Sequence, residues 1–296
     1  MELHALGTGS ASCVKNWQSN FMIRHNGKIK LIDCGGDIRH ALHEMKIKLS
    51  EVNAVYLSHL HGDHSHGLEH LGFATLFNPN LPRPLFYSEA TLAIEAWDKS
   101  LRGGMEGLEG TKYLEKDGDG VRLSTYFDVH SIARNASYTW EGIKFDIVQT
   151  VHITCKYALS HSYGLMWTDP DTNERIYLTT DAQYSPEASM LAFYREATVI
   201  FQDCETLFKS GVHAHYNDLV TLPADVKAKM WLYHYHDNVI EDFDTWQEKA
   251  VKDGFRGFVK TFASFGRSYS AQEGGFVGSL AHIAREYMEK HQRVAI

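Results

Sequence analysis

Short apolar runs alternate with segments of helical spacing along the chain, the pattern of a layered α/β fold. Residues 1–6 (MELHAL) predict a strand and GTGSAS a turn. Residues 20–25 and 28–32 predict two short strands around the turn Asn26-Gly27. Helical spacing runs from Asp37 to Lys46, VNAVYL at 52–57 reads as a buried strand, and 65–77 as a helix or helical turn. A short strand follows at 84–87, and Ser88 is expected to cap a helix over 89–101. Further strands are predicted at 143–149, 161–167, 175–180, 198–202 and 229–233, with helices at 185–195, 241–253 and 275–290. The stretch 102–142 is rich in glycine and charge, with the turn KDGDG, and reads as an insertion. No repeat or linker divides the chain, so a single domain over 1–296 is expected.

Length and charge narrow the classes. With 296 residues, 44% of them apolar, about three quarters of the unfolded surface could be buried in one core. A net charge of −8 argues against a partner that offers a long run of phosphates. It leaves room for a small phosphate ester. No apolar run reaches the ~18 residues of a membrane span. The four cysteines form no CxxC pair, which suggests free thiols in a reducing, cytoplasmic setting. The histidines stand out: there are eighteen, and they are unevenly placed.

Four ligand-type residues fall within LSHLHGDHSHG: His59, His61, Asp63 and His64. Residues two apart on a helix point about 200° away from each other, so His59 and His61 cannot share an ion from one regular helix. In an extended loop after the strand VNAVYL they can. Asp63 and His64 follow the turn at Gly62 and point elsewhere, which invites a second ion. Imidazole with carboxylate suits zinc and its neighbours better than magnesium or calcium. Three further ligand-type residues stand at the ends of apolar runs: His152 after IKFDIVQTV, Asp181 after RIYLTT and His234 after KMWLY.

This ordered set, with GTGS at 7–10 and LIDCGG at 31–36, resembles the metallo-β-lactamase superfamily. The resemblance implies an αββα sandwich, two mixed sheets back to back with helices outside. It assigns His59, His61 and His152 to a first metal and Asp63, His64 and His234 to a second, with Asp181 bridging them. His236, two residues beyond His234, is a competitor for the last position. Asp33 is expected to orient a ligand. The full set is similar to the phosphodiesterase branch, which includes tRNase Z. There, two zinc ions ~3.5–4 Å apart would share a water and lower its pKa; manganese is an alternative occupant. Asp63 is counted among the catalytic residues. A proton donor is sought in QDCETLFKSGVHAHYNDL, where Glu205 and His215 match the branch's acid pair, with His213 as the alternative.

MELHALGTGSAS, LSEVNAVYLSHLHGDHSHGLEHL, GVHAHYNDLVTLP and KMWLYHYHDN resemble, more narrowly, the anti-Pycsar phosphodiesterases. That resemblance implies hydrolysis of 3′,5′-cyclic mononucleotides, cyclic CMP and cyclic UMP included, to 5′-monophosphates. It also implies a homodimer in which a loop of one protomer completes the other's pocket. The insertion 102–142 is the candidate loop, with Tyr126 and Phe127 read either as surfaces for a base or as packing or dimer-interface residues. The alternative is a tRNase Z-like endonuclease acting on RNA 3′ ends, disfavoured by the acidic charge and by the lack of a tRNA-gripping arm. A non-catalytic metal-dependent binder and a lactone or thioester hydrolase are the remaining readings.

Overall fold

Fourteen strands are seen in the computed structural model, which describes residues 1–108, 120–155, 158–186, 188–262 and 264–265. They are β1 (Glu2–Gly7), β2 (Asn20–His25), β3 (Lys28–Ile32), β4 (Ala54–Tyr56), β5 (Leu85–Glu89), β6 (Asp128–Ile132) and β7 (Ser137–Trp140). The rest are β8 (Ile143–Cys155), β9 (Ala158–Thr168), β10 (Arg175–Leu178), β11 (Val199–Asp203), β12 (Met230–Tyr233), β13 (Gly257–Phe258) and β14 (Ser264–Phe265). They form two seven-stranded sheets, ordered β14-β1-β2-β3-β4-β5-β6 and β13-β12-β11-β10-β9-β8-β7. Both are mixed: β3 to β6 and β10 to β13 run parallel, and hairpin pairs flank them.

The period-two geometry of a strand splits its side chains between two faces. In the central strands β10 to β12 of the second sheet both faces are buried, so these strands read as nearly unbroken apolar runs. Phe145 and Ile147, Phe201, and Trp231 and Tyr233 join the core that also holds the first sheet's Leu3, Phe21 and Leu31. Their neighbours Val148, Ile200, Met230 and Leu232 face the opposite way, into a second core. That outer core is closed by Met190 and Tyr194 of helix Ala188–Glu196, Leu219 of helix Tyr216–Leu219 and Ala250 of helix Phe243–Lys252. Ile38, Ala41 and Leu42 of helix Ile38–Glu44 and Leu68 and Leu71 of helix Leu68–Leu76 cover the first sheet. The architecture is the expected two-sheet sandwich with outer helices.

Three readings need correction. The second half of the supposed insertion belongs to the sheets: β6 pairs with β5, and β7 pairs with β8. Tyr126 and Phe127 are buried rather than offered to a base. Tyr126 donates its hydroxyl to the Met105 carbonyl at 2.6 Å, and Phe127 packs 5.6 Å from the Phe86 ring. Ser88 lies within β5; Glu89 caps helix Ala90–Glu95, its carboxylate accepting from the Thr91 and Leu92 amides. An ionised carboxylate accepts these two bonds more strongly than a serine hydroxyl would. Residues 109–119 and the expected helix 275–290 lie outside the described residues.

One core residue is unexpected. Lys30 on β3 is fully buried, its Nζ 3.2 Å from the Tyr138 hydroxyl and 2.9 Å from the Phe145 ring centre. Burial pushes its pKa well below that of an ordinary lysine. The unfolded chain then binds the extra proton, so the stability cost is full below the depressed pKa and fades as pH rises towards about 10.4. Lys30→Met should therefore raise the melting temperature at neutral pH, by about 2–4 °C for each kcal/mol relieved. The gain should shrink on titration towards pH 10. A lower melting temperature for Lys30→Met at pH 7 would show that the amine–aromatic contacts outweigh the desolvation.

Candidate metal centre

The site forms where strands end. After β4 the chain stays extended through His59 and His61, then closes into the single-turn helix Gly62–Ser65, with His61 as its extended N-cap. Gly35 lets this turn close: a Cβ there would collide with the Asp63 carbonyl. Asp33 follows β3, Thr180 and Asp181 follow β10, and His234 follows β12. Asp33, Thr180 and His234 have φ of 65°, 52° and 64°. Such left-handed backbone at non-glycine residues is held against local strain and gathers at functional sites. His152 arrives differently. It sits inside β8, not at a strand end, where the pairing with β9 slips between Val151 and Ile153. A bulge of this kind re-aims one side chain out of the ladder.

The predicted ligands meet in two clusters: His59, His61, His152 and Asp181, and Asp63, His64, Asp181 and His234. The ligand atoms of each cluster lie within 4.8 Å of one another. Asp181 is common to both. Its Oδ2 lies 3.5 Å from Nε2 of His59 and 3.5 Å from Nε2 of His152. Its Oδ1 lies 3.1 Å from Nε2 of His64 and 3.4 Å from Nε2 of His234. Asp63 Oδ2 completes the second group, 3.1 Å from His64 Nε2 and 3.3 Å from His234 Nε2.

Surrounding groups fix the rings. His64 donates Nδ1–H to Asp33 at 2.8 Å, and Asp33 also accepts the Ser58 amide and hydroxyl. His152 donates Nδ1–H to the Val212 carbonyl at 2.8 Å. In both, Nε2 is left facing the cluster, the usual way an outer partner sets a ligand's tautomer. Burial lowers the pKa of His59, His61 and His152, favouring the neutral imidazole that a cation needs. At His64 burial acts the same way, but Asp181, Asp63 and Asp33 outweigh it and raise the pKa. Asp181 and Asp63 are buried, yet the surrounding imidazoles hold both carboxylates well below their ordinary range. His59 Nε2, His64 Nε2 and Asp181 Oδ1 are buried without a hydrogen-bond partner. Orphaned ligand atoms converging from several strands fit a divalent cation.

A third group shares two members with the second: Asp181, Asp203, His213 and His234. His213 Nδ1 lies 2.8 Å from Asp203 Oδ2, and its ring stacks on His234 at 4.7 Å. Burial works to lower its pKa, but the carboxylates of Asp203, Asp181 and Glu205 raise it to about 10. The expected acid pair is not assembled. Glu205 and His215 meet through backbone only. The Glu205 carboxylate accepts the Ser210 amide at 2.8 Å, and His215 Nδ1 accepts the Asn217 amide at 3.2 Å as a helix cap. His236 joins none of the clusters.

The sequence pattern described as anti-Pycsar protein Apyc1 matches residues 1–265. The chain belongs to this family. The Apyc1 relative from Paenibacillus harenae is 32% identical over 240 residues, 81% of this chain and 91% of its own. Among solved structures, the metallo-β-lactamase fold protein YhfI of Bacillus subtilis superposes with a TM-score of 0.66 at 16% identity, covering 89% of this chain and 98% of its own. The short form of human tRNase Z does so with a TM-score of 0.62 at 16% identity, covering 90% and 99%. These structures establish the fold as the metallo-β-lactamase sandwich. In this Apyc1 member, sequence reasoning missed Asp203 as a site residue. It ends the apolar run ATVIFQD, the same signal that marked Asp181.

Proposed function

We propose that this chain is a dinuclear zinc phosphodiesterase that hydrolyses 3′,5′-cyclic mononucleotides, cyclic CMP and cyclic UMP among them, to 5′-monophosphates. On this reading it works as a homodimer in the host cytoplasm and removes the signal of a Pycsar-type defence. The observation that carries the reading is the pair of four-residue clusters joined through both oxygens of Asp181, with His213 beside them. His59, His61 and His152 would hold one ion, Asp63, His64 and His234 the other, and Asp181 both. When bound, two divalent ions would polarise the phosphoryl group and make water nucleophilic near neutral pH.

The protein's own groups do the rest. Asp33 and the Val212 carbonyl keep His64 and His152 in the ligating tautomer. His213, anchored by Asp203, holds a proton at the edge of the cluster for the departing 3′-oxygen. Family membership and the acidic net charge support a small phosphodiester over RNA.

The test is turnover by the zinc-loaded protein of cyclic CMP, cyclic UMP, cyclic AMP, cyclic GMP, a cyclic dinucleotide and a 3′-extended tRNA. Cyclic mononucleotides should yield 5′-monophosphates, and a chelator should abolish the activity. Chelation should also lower the melting temperature, because it leaves the buried ligand atoms uncompensated. Cleavage of tRNA alone would make the chain a tRNase Z-like endonuclease. Inertness towards the whole panel would turn the search to lactones or to sequestration.

A further inference from the structure

Beside the metal centre, a rigidly held loop presents apolar side chains to solvent. The loop 206–212 leaves β11 and returns to the site at His213. It is pinned at many points. The Thr206 hydroxyl donates to Asn238 at 2.9 Å and accepts the His236 amide at 3.2 Å. The Ser210 amide reaches the buried Glu205 carboxylate, and Lys209 pairs with Asp218 at 2.7 Å. The Gly211 carbonyl accepts from Gln183, and the Val212 carbonyl accepts from His152 itself. Yet Leu207 and Phe208 are 55% and 65% exposed. An aromatic ring held out on a loop this well tied is not explained by packing.

Its surroundings suggest what it meets. The Phe208 ring lies 5.8 Å from the His236 ring. His236 stands two residues past the ligand His234, and its amide is held by the Thr206 hydroxyl at the start of the same loop. Phe208 therefore stands on a loop that holds the ligand His152 at one end and rests its ring beside the neighbour of the ligand His234. In a cyclic mononucleotide, the base stands one sugar beyond the phosphorus. Every base has a π-face, so an aromatic platform recognises bases without choosing strongly among them.

Building on the function proposed above, we infer that Phe208, backed by His236, is the platform on which the substrate's nucleobase stacks. The side chains of Tyr126 and Phe127, buried in the core, leave that role open.

The experiment compares wild type, Phe208→Ala and Phe208→Trp, all zinc-loaded. Turnover is measured on cyclic CMP and on a base-free methyl riboside 3′,5′-cyclic phosphate. Binding of CMP and of ribose 5-phosphate is measured by calorimetry, and oligomeric state by sedimentation. Phe208→Ala should reduce the preference for cyclic CMP over the base-free ester by about tenfold. The loss should lie mainly in KM, CMP binding should weaken by a similar factor, and Phe208→Trp should restore both. An unchanged preference in Phe208→Ala, with cyclic CMP still turned over by wild type, would overturn the platform alone. A preference that falls together with a changed sedimentation coefficient would also overturn it, making Phe208 a contact with a second copy. Wild type that neither hydrolyses cyclic nucleotides nor binds CMP would overturn the proposed function and the platform with it.

Discussion

Asp181→Ala should lower turnover of cyclic mononucleotides by about 10³-fold or more and reduce the metal bound per chain. Asp181 is the one residue common to all three ligand groups, and its two oxygens face different clusters. Without it, His59, His61 and His152 have no carboxylate in their group. The second group retains Asp63 alone against His64 and His234. Asp181→Asn should do no better. It keeps the shape but removes the negative charge that the surrounding imidazoles stabilise, and it replaces one of the two carboxylate oxygens with an amide nitrogen that has no lone pair to offer a cation. Elemental analysis and turnover of the same preparations decide the matter. An alanine variant with the wild-type metal content and a rate within about tenfold of wild type would remove Asp181 from the bridging position.

The structure explains why much of this centre was legible in the sequence. A ligand at the end of a buried strand sits where apolar spacing stops, so Asp181 and His234 were marked by the runs before them. Asp203 carried the same mark. There, the denser acid–base residues of ETLFKSGVHAH just beyond it mask the mark. His152 follows the apolar run IKFDIVQTV, yet its strand runs on past it, and a bulge, which leaves no spacing signal, turns it inward.

Strands β6 and β7 escaped notice because each is an edge of its sheet. DVHSI buries only Ile132 fully, so it lacks the apolar run that marks a central strand. Tyr126 and Phe127 are the opposite case. Set in a stretch rich in glycine and charge, their aromatic rings fit a base platform and a packing role alike, and the structure buries both against the first sheet's helices. Composition averages over a window and cannot see which side of a short helix faces the core.

On the function proposed above, the alternative His213 takes the proton-donor role in place of Glu205 with His215, and there the expected effect is also large. His213→Ala should lower kcat for cyclic mononucleotides by about 10²–10⁴-fold. The loss should shrink below about tenfold on bis(p-nitrophenyl) phosphate, whose nitrophenolate leaves without a proton. This contrast follows from the position of His213. Asp203 takes its Nδ1–H at 2.8 Å, so Nε2 is the nitrogen left to carry the transferable proton. The neighbouring carboxylates favour the protonated ring. Its side chain is 17% exposed against 1% for His234, so it alone of the stacked pair opens towards solvent. Asp203→Asn should share the leaving-group dependence, because it removes the negative charge that favours the proton on His213 even where its amide oxygen still accepts Nδ1–H. His215→Ala should stay near wild type on both substrates, since that ring is engaged in capping a helix. Metal content separates donor from ligand. A His213→Ala protein that keeps its ions yet loses only the poor leaving group identifies a proton donor. Loss of an ion, with both substrates affected alike, would instead place His213 among the ligands, as the third cluster permits.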